Sequence, residues 1–418
     1  MKYGLIGKTL KHSFSKQIHE KIAPYTYELC ELQEDELRGF LEERDFCAIN
    51  VTIPYKEAVL PYLDEIDENA KSIGAVNTIV NRGGRLFGYN TDFFGLCAQI
   101  KRSKIEIQGK KVLVLGTGGT SRTACAVCSH LGAQQVLRVS RSERDGAISY
   151  AQAKDRHTDA QVIINTTPVG MYPNSDGVDG EMSTAIDISD FPSLCAVVDV
   201  VYNPLRTDII LCAKNRSLAA EGGLYMLVSQ AVAAYGLFFD TAVDEDMCEK
   251  IYSKIKAQKE NIVLVGMPSS GKSTVGKLIA KMLNRPFYDT DDEIVKARNC
   301  SISEIFEKEG ERAFRDLESN VIKELSSLGG VVIATGGGAV LRDENVRRLR
   351  RNGRIYFLDR PLEQLVPTSD RPLAADKTAI EKRYKERYDI YKGGCDCRIC
   401  EFSSENATAH SILEDFDK

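Results

Sequence analysis

The sequence has no stretch long and apolar enough to cross a bilayer, which needs roughly 20 residues. Its opening stretch, MKYGLIGKTLKHSFS, lacks an apolar core of signal-peptide length. Both absences lead to the expectation of a cytosolic protein with no membrane partner. Basic charge is not in excess either. Lys and Arg number 55 against 60 Asp and Glu, a net charge of −5, so no global positive field argues for nucleic acid. No Gly/Ser- or Pro-rich linker, internal repeat or low-complexity tract occurs. Disulfide-dense composition is lacking too, since twelve cysteines are scattered over 418 residues. Reduced thiols are therefore expected.

Two cysteine clusters need weighing. Cys125 and Cys128 fall within a helical stretch and suit small buried positions. Cys395, Cys397 and Cys400 form C-x-C-x-x-C, but zinc usually takes four ligands and His410 is the nearest further candidate. CDCRICEF also alternates as a strand would, with Cys395, Cys397 and Ile399 on one face.

What is present is α/β rhythm. A chain of this length needs two to four domains of roughly 100–200 residues. Residues 1–100 alternate short apolar strands (YGLIG, YTYELCEL, CAINVTI, AVNTIVN, RLFGYN) with helical stretches. Residues 101–222 open with KKVLVLG and continue through VIINTTP and AVVDVVY. Strands alternating with helices imply parallel sheets. Helical sequence over 223–255 returns to complete the first lobe. A third domain, 261–418, begins at NIVLVG. The junction near Ala257–Asn261 is the polar tail of a helix, which restricts orientation more than a flexible coil would.

The strongest motif is Gly266-Met-Pro-Ser269-Ser270-Gly271-Lys272-Ser273-Thr274, between an apolar strand and a helical pattern. This G-x4-G-K-S curls backbone N–H groups around phosphate oxygens at a helix N-terminus. Lys272 is placed for the β/γ-phosphates and Ser273 for Mg²⁺. The motif specifies a nucleotide and leaves the acceptor open. Asp289-Thr-Asp291 follows a short strand. Phe314-Arg315-Asp-Leu-Glu318 lies on a helical pattern, and Gly336-Gly337-Gly338 ends a buried strand. Arg371-Pro-Leu sits in the polar loop PTSDRPLAADK, and Arg387 on a basic helix.

In this order and spacing, the set resembles shikimate kinase over 261–418. The resemblance implies that Asp289 holds Mg²⁺ through water and that Asp291 contacts substrate hydroxyls as a candidate base. It implies that Arg315 and Arg387 clamp the substrate carboxylate, and that backbone groups of Gly337 and Gly338 touch substrate. Arg371 would be the lid arginine, contacting ATP. Two guanidiniums suit a carboxylate. One departure stands out: Gln364 occupies the position where the family often has an adenine-contacting Arg, which bears on ATP affinity.

Earlier in the chain, Gly116-Thr117-Gly118-Gly119-Thr120-Ser121 follows a strand and opens a helix as a dinucleotide loop does, although Ser121 stands where a third glycine is usual. The next strand ends in Ser140-Arg141-Ser142. Arg there accommodates a 2′-phosphate, where NAD would want Asp or Glu, so NADP is favoured. A polar series accompanies it: His12-Ser13-Phe-Ser15, Asn50-Val-Thr52-Ile-Pro-Tyr-Lys56, Gly74-Ala-Val-Asn77-Thr78, Asn90-Thr91-Asp92, Asp199-Val200-Val-Tyr202, and Gly222-Gly223 through Gln230.

This series resembles shikimate dehydrogenase across 1–255. The resemblance implies Lys56 and Asp92 as the catalytic pair. Ser13, Ser15, Thr52, Asn77, Tyr202 and Gln230 would be substrate contacts, with Val200 and Gly223 near the nicotinamide. Lys16 and Glu20 depart from the family's usual Pro and Asn. Arg144, the next basic residue after Arg141, sits at an atypical offset.

The combined expectation is a two-lobed dehydrogenase followed by a P-loop kinase domain. NADPH would reduce 3-dehydroshikimate to shikimate, and ATP with Mg²⁺ would phosphorylate it. Three alternatives stay open: a quinate/shikimate dehydrogenase using NAD, a kinase for another small hydroxylated acid, or one half acting as a catalytically dead scaffold. Oligomeric state is not legible.

Overall fold

The computed structural model describes residues 1–10, 14–143, 146–177, 180–365 and 377–417. The chain divides into two compact units. The first comprises Met1–Ser175, Ser183–Asn203 and Cys212–Ile255; the second comprises Asp176–Met182, Pro204–Leu211 and Lys256–Lys418. Segments 176–182 and 204–211, inside the stretch assigned above to a nucleotide lobe, thus cluster with the second unit.

The first unit holds two sheets. Strands β1 (Tyr3–Gly7), β2 (Glu28–Glu31), β3 (Ala48–Val51), β4 (Glu65–Ile66), β5 (Thr78–Arg82) and β6 (Arg85–Tyr89) form a mixed sheet ordered β2-β1-β3-β5-β6-β4. β1 runs parallel to β2 and β3, whereas β5 is antiparallel to β3 and β6. The expected strand YTYELCEL is paired only over β2, because Tyr25 and Tyr27 leave it to join an aromatic cluster with His19.

The second sheet is wholly parallel. It contains β7 (Lys111–Leu115), β8 (Gln135–Ser140), β9 (Ile148–Ser149), β10 (Val162–Asn165), β11 (Ala196–Asp199) and β12 (Ala219–Glu221), ordered β12-β11-β10-β7-β8-β9. Val112 to Leu115, Val162 to Asn165 and Ala196 to Asp199 are buried throughout, as continuous apolar runs covered on both faces should be.

The helices Thr91–Arg102 and Leu224–Phe239 tie this unit together. Phe93, Leu96, Ile100 and Met226 share one core with Val112, Val114, Val162 and Val198. Each such fully buried side chain contributes about 1.5–3 kcal/mol. Gly95 permits the close approach: a Cβ there would stand 2.6 Å from the Met226 carbonyl and 3.0 Å from Gln230 Cβ. That approach brings Gln230 alongside the first turn of Thr91–Arg102.

The second unit has one parallel sheet of β13 (Asn261–Val265), β14 (Phe287–Asp289), β15 (Val332–Ala334), β16 (Gly353–Leu358) and β17 (Cys397–Ile399), ordered β14-β15-β13-β16-β17. β13 is buried along its length and lies between β15 and β16, where the chain crosses from one side of the sheet to the other. Ligand loops belong at the carboxyl ends of strands around such a switch point. Residues 266–271, 289–291 and 335–338 all occupy those ends. The predicted strand CDCRICEF is reduced to β17, because the helix Lys377–Gly394 runs almost to it. Helix Glu245–Lys259 reaches within one residue of β13. Among the described residues no helix is long and apolar enough to cross a membrane.

Candidate active sites

In the first unit, β3 ends at Val51 and the chain turns through Thr52, presenting Lys56. Asp92 stands in the first turn of helix Thr91–Arg102, whose N-cap Asn90 accepts from the Phe93 N–H at 3.2 Å. Lys56 Nζ lies 2.5 Å from Asp92 Oδ2, with both side chains mostly buried. The Lys56 carbonyl accepts from the Val76 N–H at 2.8 Å, which ties its loop to the segment carrying Asn77. Asn77 Oδ1 accepts from the Thr91 N–H at 2.7 Å. Gln230 Oε1 accepts from the Thr91 hydroxyl at 3.4 Å. Lys56, Asn77, Asp92 and Gln230 are thereby linked to one neighbourhood. Ser15 starts helix Ser15–Ile22, and the neighbouring Phe14 packs edge-on against Tyr202 at 5.7 Å. Burial pushes the Tyr202 hydroxyl pKa up. Ser13 lies outside the described residues.

At the carboxyl end of β7, Gly116 adopts φ +114°, and a Cβ on it would approach Thr166 Oγ1 to 2.8 Å. Thr117 follows. Gly118 caps helix Gly119–His130, which carries Thr120 in its first turn. A Cβ at Gly118 or Gly119 would meet nothing within 4 Å, leaving space over the helix N-terminus. Ser121, at the third-glycine position, is buried and its hydroxyl donates to the Gly118 carbonyl at 2.7 Å. A small side chain that turns inward thus fills that position. Ser140 ends β8, and Arg141 and Ser142 beyond it are exposed. A Cβ at Gly223 would fall 2.1 Å from the Val200 carbonyl, so glycine alone lets the helix start touch that strand end.

In the second unit the loop 266–271 turns through Ser269 at φ +65° and Gly271 at φ +93° into helix Lys272–Leu283, where Ser273 and the exposed Thr274 follow. Lys272 Nζ donates to the carbonyls of Gly266 at 2.9 Å and Met267 at 2.8 Å. The Ser269 and Ser270 hydroxyls are buried and have no hydrogen-bond partner among the described residues. Ser273 Oγ donates to Asp289 Oδ2 at 2.5 Å. Asp289 also caps helix Thr290–Arg298, accepting from the Asp291 N–H at 3.0 Å.

Beside this loop, Arg315 Nη1 donates to Glu318 Oε2 at 3.0 Å. A Cβ on Gly336 would lie 2.6 Å from Glu318 Oε1 and 2.7 Å from Asp291 Oδ1; on Gly338 it would collide with the Arg315 guanidinium. Arg387 Nη1 donates to the Gly337 carbonyl at 3.0 Å, and Tyr391 donates to the same oxygen. Asp291, Arg315, Gly337, Gly338 and Arg387 therefore converge. Arg371 lies outside the described residues. Gln364 sits in a short turn, while Arg360 stands over the Phe402 ring at 5.1 Å.

Some residues at these sites carried no assignment in the sequence. Glu318 is fully buried, and burial pushes its carboxyl pKa up; its place three residues after Arg315 was the available signal. Asn50, Thr78 and Thr91 stood within the quoted motifs but carried no role there, since polar residues at strand and helix ends are commonplace. Among the described residues, no group of three or more His, Cys, Asp and Glu is arranged to hold a metal, the C-x-C-x-x-C segment included.

A two-lobed α/β oxidoreductase followed by a P-loop phosphotransferase is the class that these folds and sites define. Residues 5–79 match the shikimate dehydrogenase substrate binding domain, and residues 268–417 match shikimate kinase. A shikimate dehydrogenase (NADP(+)) of Clostridium perfringens strain SM101 is 35% identical over 274 residues, covering 61% of this chain and 98% of the relative. The crystal structure of shikimate dehydrogenase 1 from Peptoclostridium difficile superposes with a TM-score of 0.54 at 34% identity, over 61% of this chain and 98% of that one. The shikimate 5-dehydrogenase of Thermus thermophilus, in complex with NADP(H) and shikimate, gives 0.53 at 30% identity, over 61% and 99%. The chain belongs to the shikimate dehydrogenase family and carries a C-terminal shikimate kinase domain, which makes it a bifunctional shikimate-pathway enzyme.

Proposed function

We propose that the first unit reduces 3-dehydroshikimate to shikimate with NADPH and that the second transfers the γ-phosphoryl of ATP to the shikimate 3-hydroxyl. The observation that carries the first half is the Lys56–Asp92 contact, made across 36 positions of sequence. NADPH, when bound, supplies the hydride. Lys56 gives the carbonyl oxygen its proton, and Asp92 orients the ammonium and accepts from a substrate hydroxyl. Ser13, Ser15, Thr52, Asn77, Tyr202 and Gln230 satisfy the remaining oxygens of a polyhydroxylated ring, each of which needs a partner once desolvated. The open N-terminus at Gly118–Gly119 suits a pyrophosphate, with Gly116, Thr117 and Thr120 framing it. Ser140, Arg141 and Ser142 offer donors and a cation, not a carboxylate, which suits a 2′-phosphate. Val200 and Gly223 would border the nicotinamide.

The orphaned Ser269 and Ser270 hydroxyls and the Ser273–Asp289 contact support the second half. ATP with Mg²⁺ supplies the phosphoryl group and neutralises its charge. Ser270, Gly271, Lys272 and Thr274 would cradle the phosphates, and Ser273 with Asp289 would hold the cation. Asp291 accepts the proton of the attacking hydroxyl. Arg315 and Arg387 clamp the carboxylate, with Gly337 and Gly338 alongside, and Arg371 contacts ATP. Purified protein tests both halves: NADPH, and not NADH, should be oxidised with 3-dehydroshikimate, and ADP should form only when shikimate is present. Preference for NADH would overturn the cofactor assignment, and shikimate-independent ADP formation the acceptor.

A further inference from the structure

Asn77 is held by a buried polar chain that the reaction itself does not use. Tyr27 is fully buried, and its ring stacks on His19 with centroids 4.0 Å apart and planes 6° from parallel. Its hydroxyl donates to Asn50 Oδ1 at 2.7 Å. Asn50 Nδ2 then donates to Thr78 Oγ1 at 3.0 Å and to the Asn77 carbonyl at 3.3 Å. Thr78 Oγ1 donates to Asn77 Oδ1 at 3.1 Å, and the Thr91 backbone N–H donates to that oxygen at 2.7 Å. Asn50, Asn77, Thr78 and Thr91 are each at most 5% exposed.

The polarity of this chain is not arbitrary. A side-chain amide can be flipped end for end, but a backbone N–H only donates and a backbone carbonyl only accepts. The Thr91 N–H therefore requires the oxygen of Asn77 to face it. The Asn77 carbonyl likewise requires the nitrogen of Asn50. Between them the Thr78 hydroxyl accepts from Asn50 and has its own proton to give to Asn77. The side-chain bonds from Tyr27 through Asn50 and Thr78 then run in one direction to Asn77 Oδ1, which the Thr91 hydroxyl also reaches at 3.2 Å. Among the described residues, no hydrogen bond engages Asn77 Nδ2.

We propose that Tyr27, Asn50 and Thr78 are positioning residues of the dehydrogenase, fixing Asn77 as a hydrogen-bond donor toward a substrate oxygen. The inference rests on the assignment of Asn77 as a substrate contact. The Thr91 N–H sets which end of the Asn77 amide faces inward, while the Thr78 hydroxyl on Oδ1 and the Asn50 amide on the Asn77 carbonyl fix its position; without them the amide keeps its sense but loses the fixed placement from which Nδ2 reaches the substrate oxygen. The buried oxygens and amides of the chain would meanwhile lose partners.

A kinetic double-mutant cycle on the full chain separates these two claims. In Thr78→Val the KM for 3-dehydroshikimate should rise about fivefold, the size expected of one lost hydrogen bond, with KM for NADPH unchanged. Thr78→Ser, which keeps the hydroxyl, should bring KM back to within about twofold of the parent. In an Asn77→Ala background, Thr78→Val should add less than about twofold, because the group it orients is gone. The full fivefold increment persisting in that background would overturn the positioning role. Asn77→Ala leaving KM unchanged would instead remove the substrate contact beneath it. A rise in the NADPH KM along with that for substrate would mark general damage to the fold and count against the proposal; Tyr27→Phe, at the far end of the chain, gives a second reading by the same criteria.

Discussion

The two sites are assembled over very different sequence distances. The phosphate cradle of the kinase domain lies within residues 266–274, on one strand–loop–helix turn. The dehydrogenase site joins Lys56 to Asp92 across 36 positions and Thr91 to Gln230 across 139. A local site inherits its geometry from backbone conformation, here the left-handed turns at Ser269 and Gly271. A distributed site must import its geometry from packing, here the Gly95 contact between two helices and the buried amide chain behind Asn77. The kinase cradle should therefore fail through chemistry when altered, and the dehydrogenase site through either chemistry or architecture.

That contrast orders the expected effects. The largest follows Lys272→Ala, which should slow phosphorylation by about a thousandfold, the scale of losing a preorganised charge at a transferring group. Reduction of 3-dehydroshikimate by the same variant should be unchanged; a parallel loss in folded protein would erase the distinction between the sites. Lys56→Ala should lower the rate of reduction by about 10²–10⁴-fold, as loss of a general acid does. Stopped-flow NADPH oxidation measures it, and a loss under tenfold would remove Lys56 from the proton path.

Architecture gives the next scale. Gly95→Ala forces a Cβ to within 2.6 Å of the Met226 carbonyl. It should destabilise the first unit by about 1–3 kcal/mol and raise the KM for 3-dehydroshikimate, with ATP-dependent phosphorylation of added shikimate spared. Denaturant unfolding, read alongside both activities, tests this. Equal damage to both activities would mean that the dehydrogenase site is no more dependent on packing than the cradle.

How much was legible follows the same division. The P-loop could be derived from spacing and phosphate chemistry alone. Asp289 was legible as a carboxylate at a strand end, and the structure adds that one oxygen caps a helix while the other meets Ser273. The weak dinucleotide loop became interpretable through Ser121, whose inward hydroxyl bond explains how the turn tolerates the missing glycine. Lys56 and Asp92 were legible only within a family pattern, because nothing local to either residue announces its partner. The roles of Asn50 and Thr78 were not legible, although both stood in the quoted motifs, since a hydrogen-bond chain running across β3 and β5 leaves no periodic mark. The extent of β2 and β17 was overestimated, because alternation continues in sequence after pairing has stopped. Ser13 and Arg371 fall outside the described residues.

The last effect concerns pH. Burial against Tyr27 and Phe238 lowers the His19 pKa to about 3, with Asn50 opposing; Tyr25 faces its Nδ1 at 2.5 Å. His19 is thus neutral in the fold but gains a proton below about 6.5 once unfolded. The unfolded state then binds more protons, so the first unit should lose up to about 1.4 kcal/mol per pH unit as pH falls below 6.5 toward 3. His19→Phe should flatten that slope in urea melts between pH 7 and 5. An unchanged slope would assign the acid sensitivity to other groups.

The central claim is that two self-contained sites act in succession on one chain. Lys56→Ala, supplied with 3-dehydroshikimate, NADPH, ATP and Mg²⁺, tests it most directly. ADP formation should fall with the loss of reduction, and adding shikimate should restore it to the parent rate at once. ADP formation that stays absent after shikimate is added, in protein that remains folded, would contradict it.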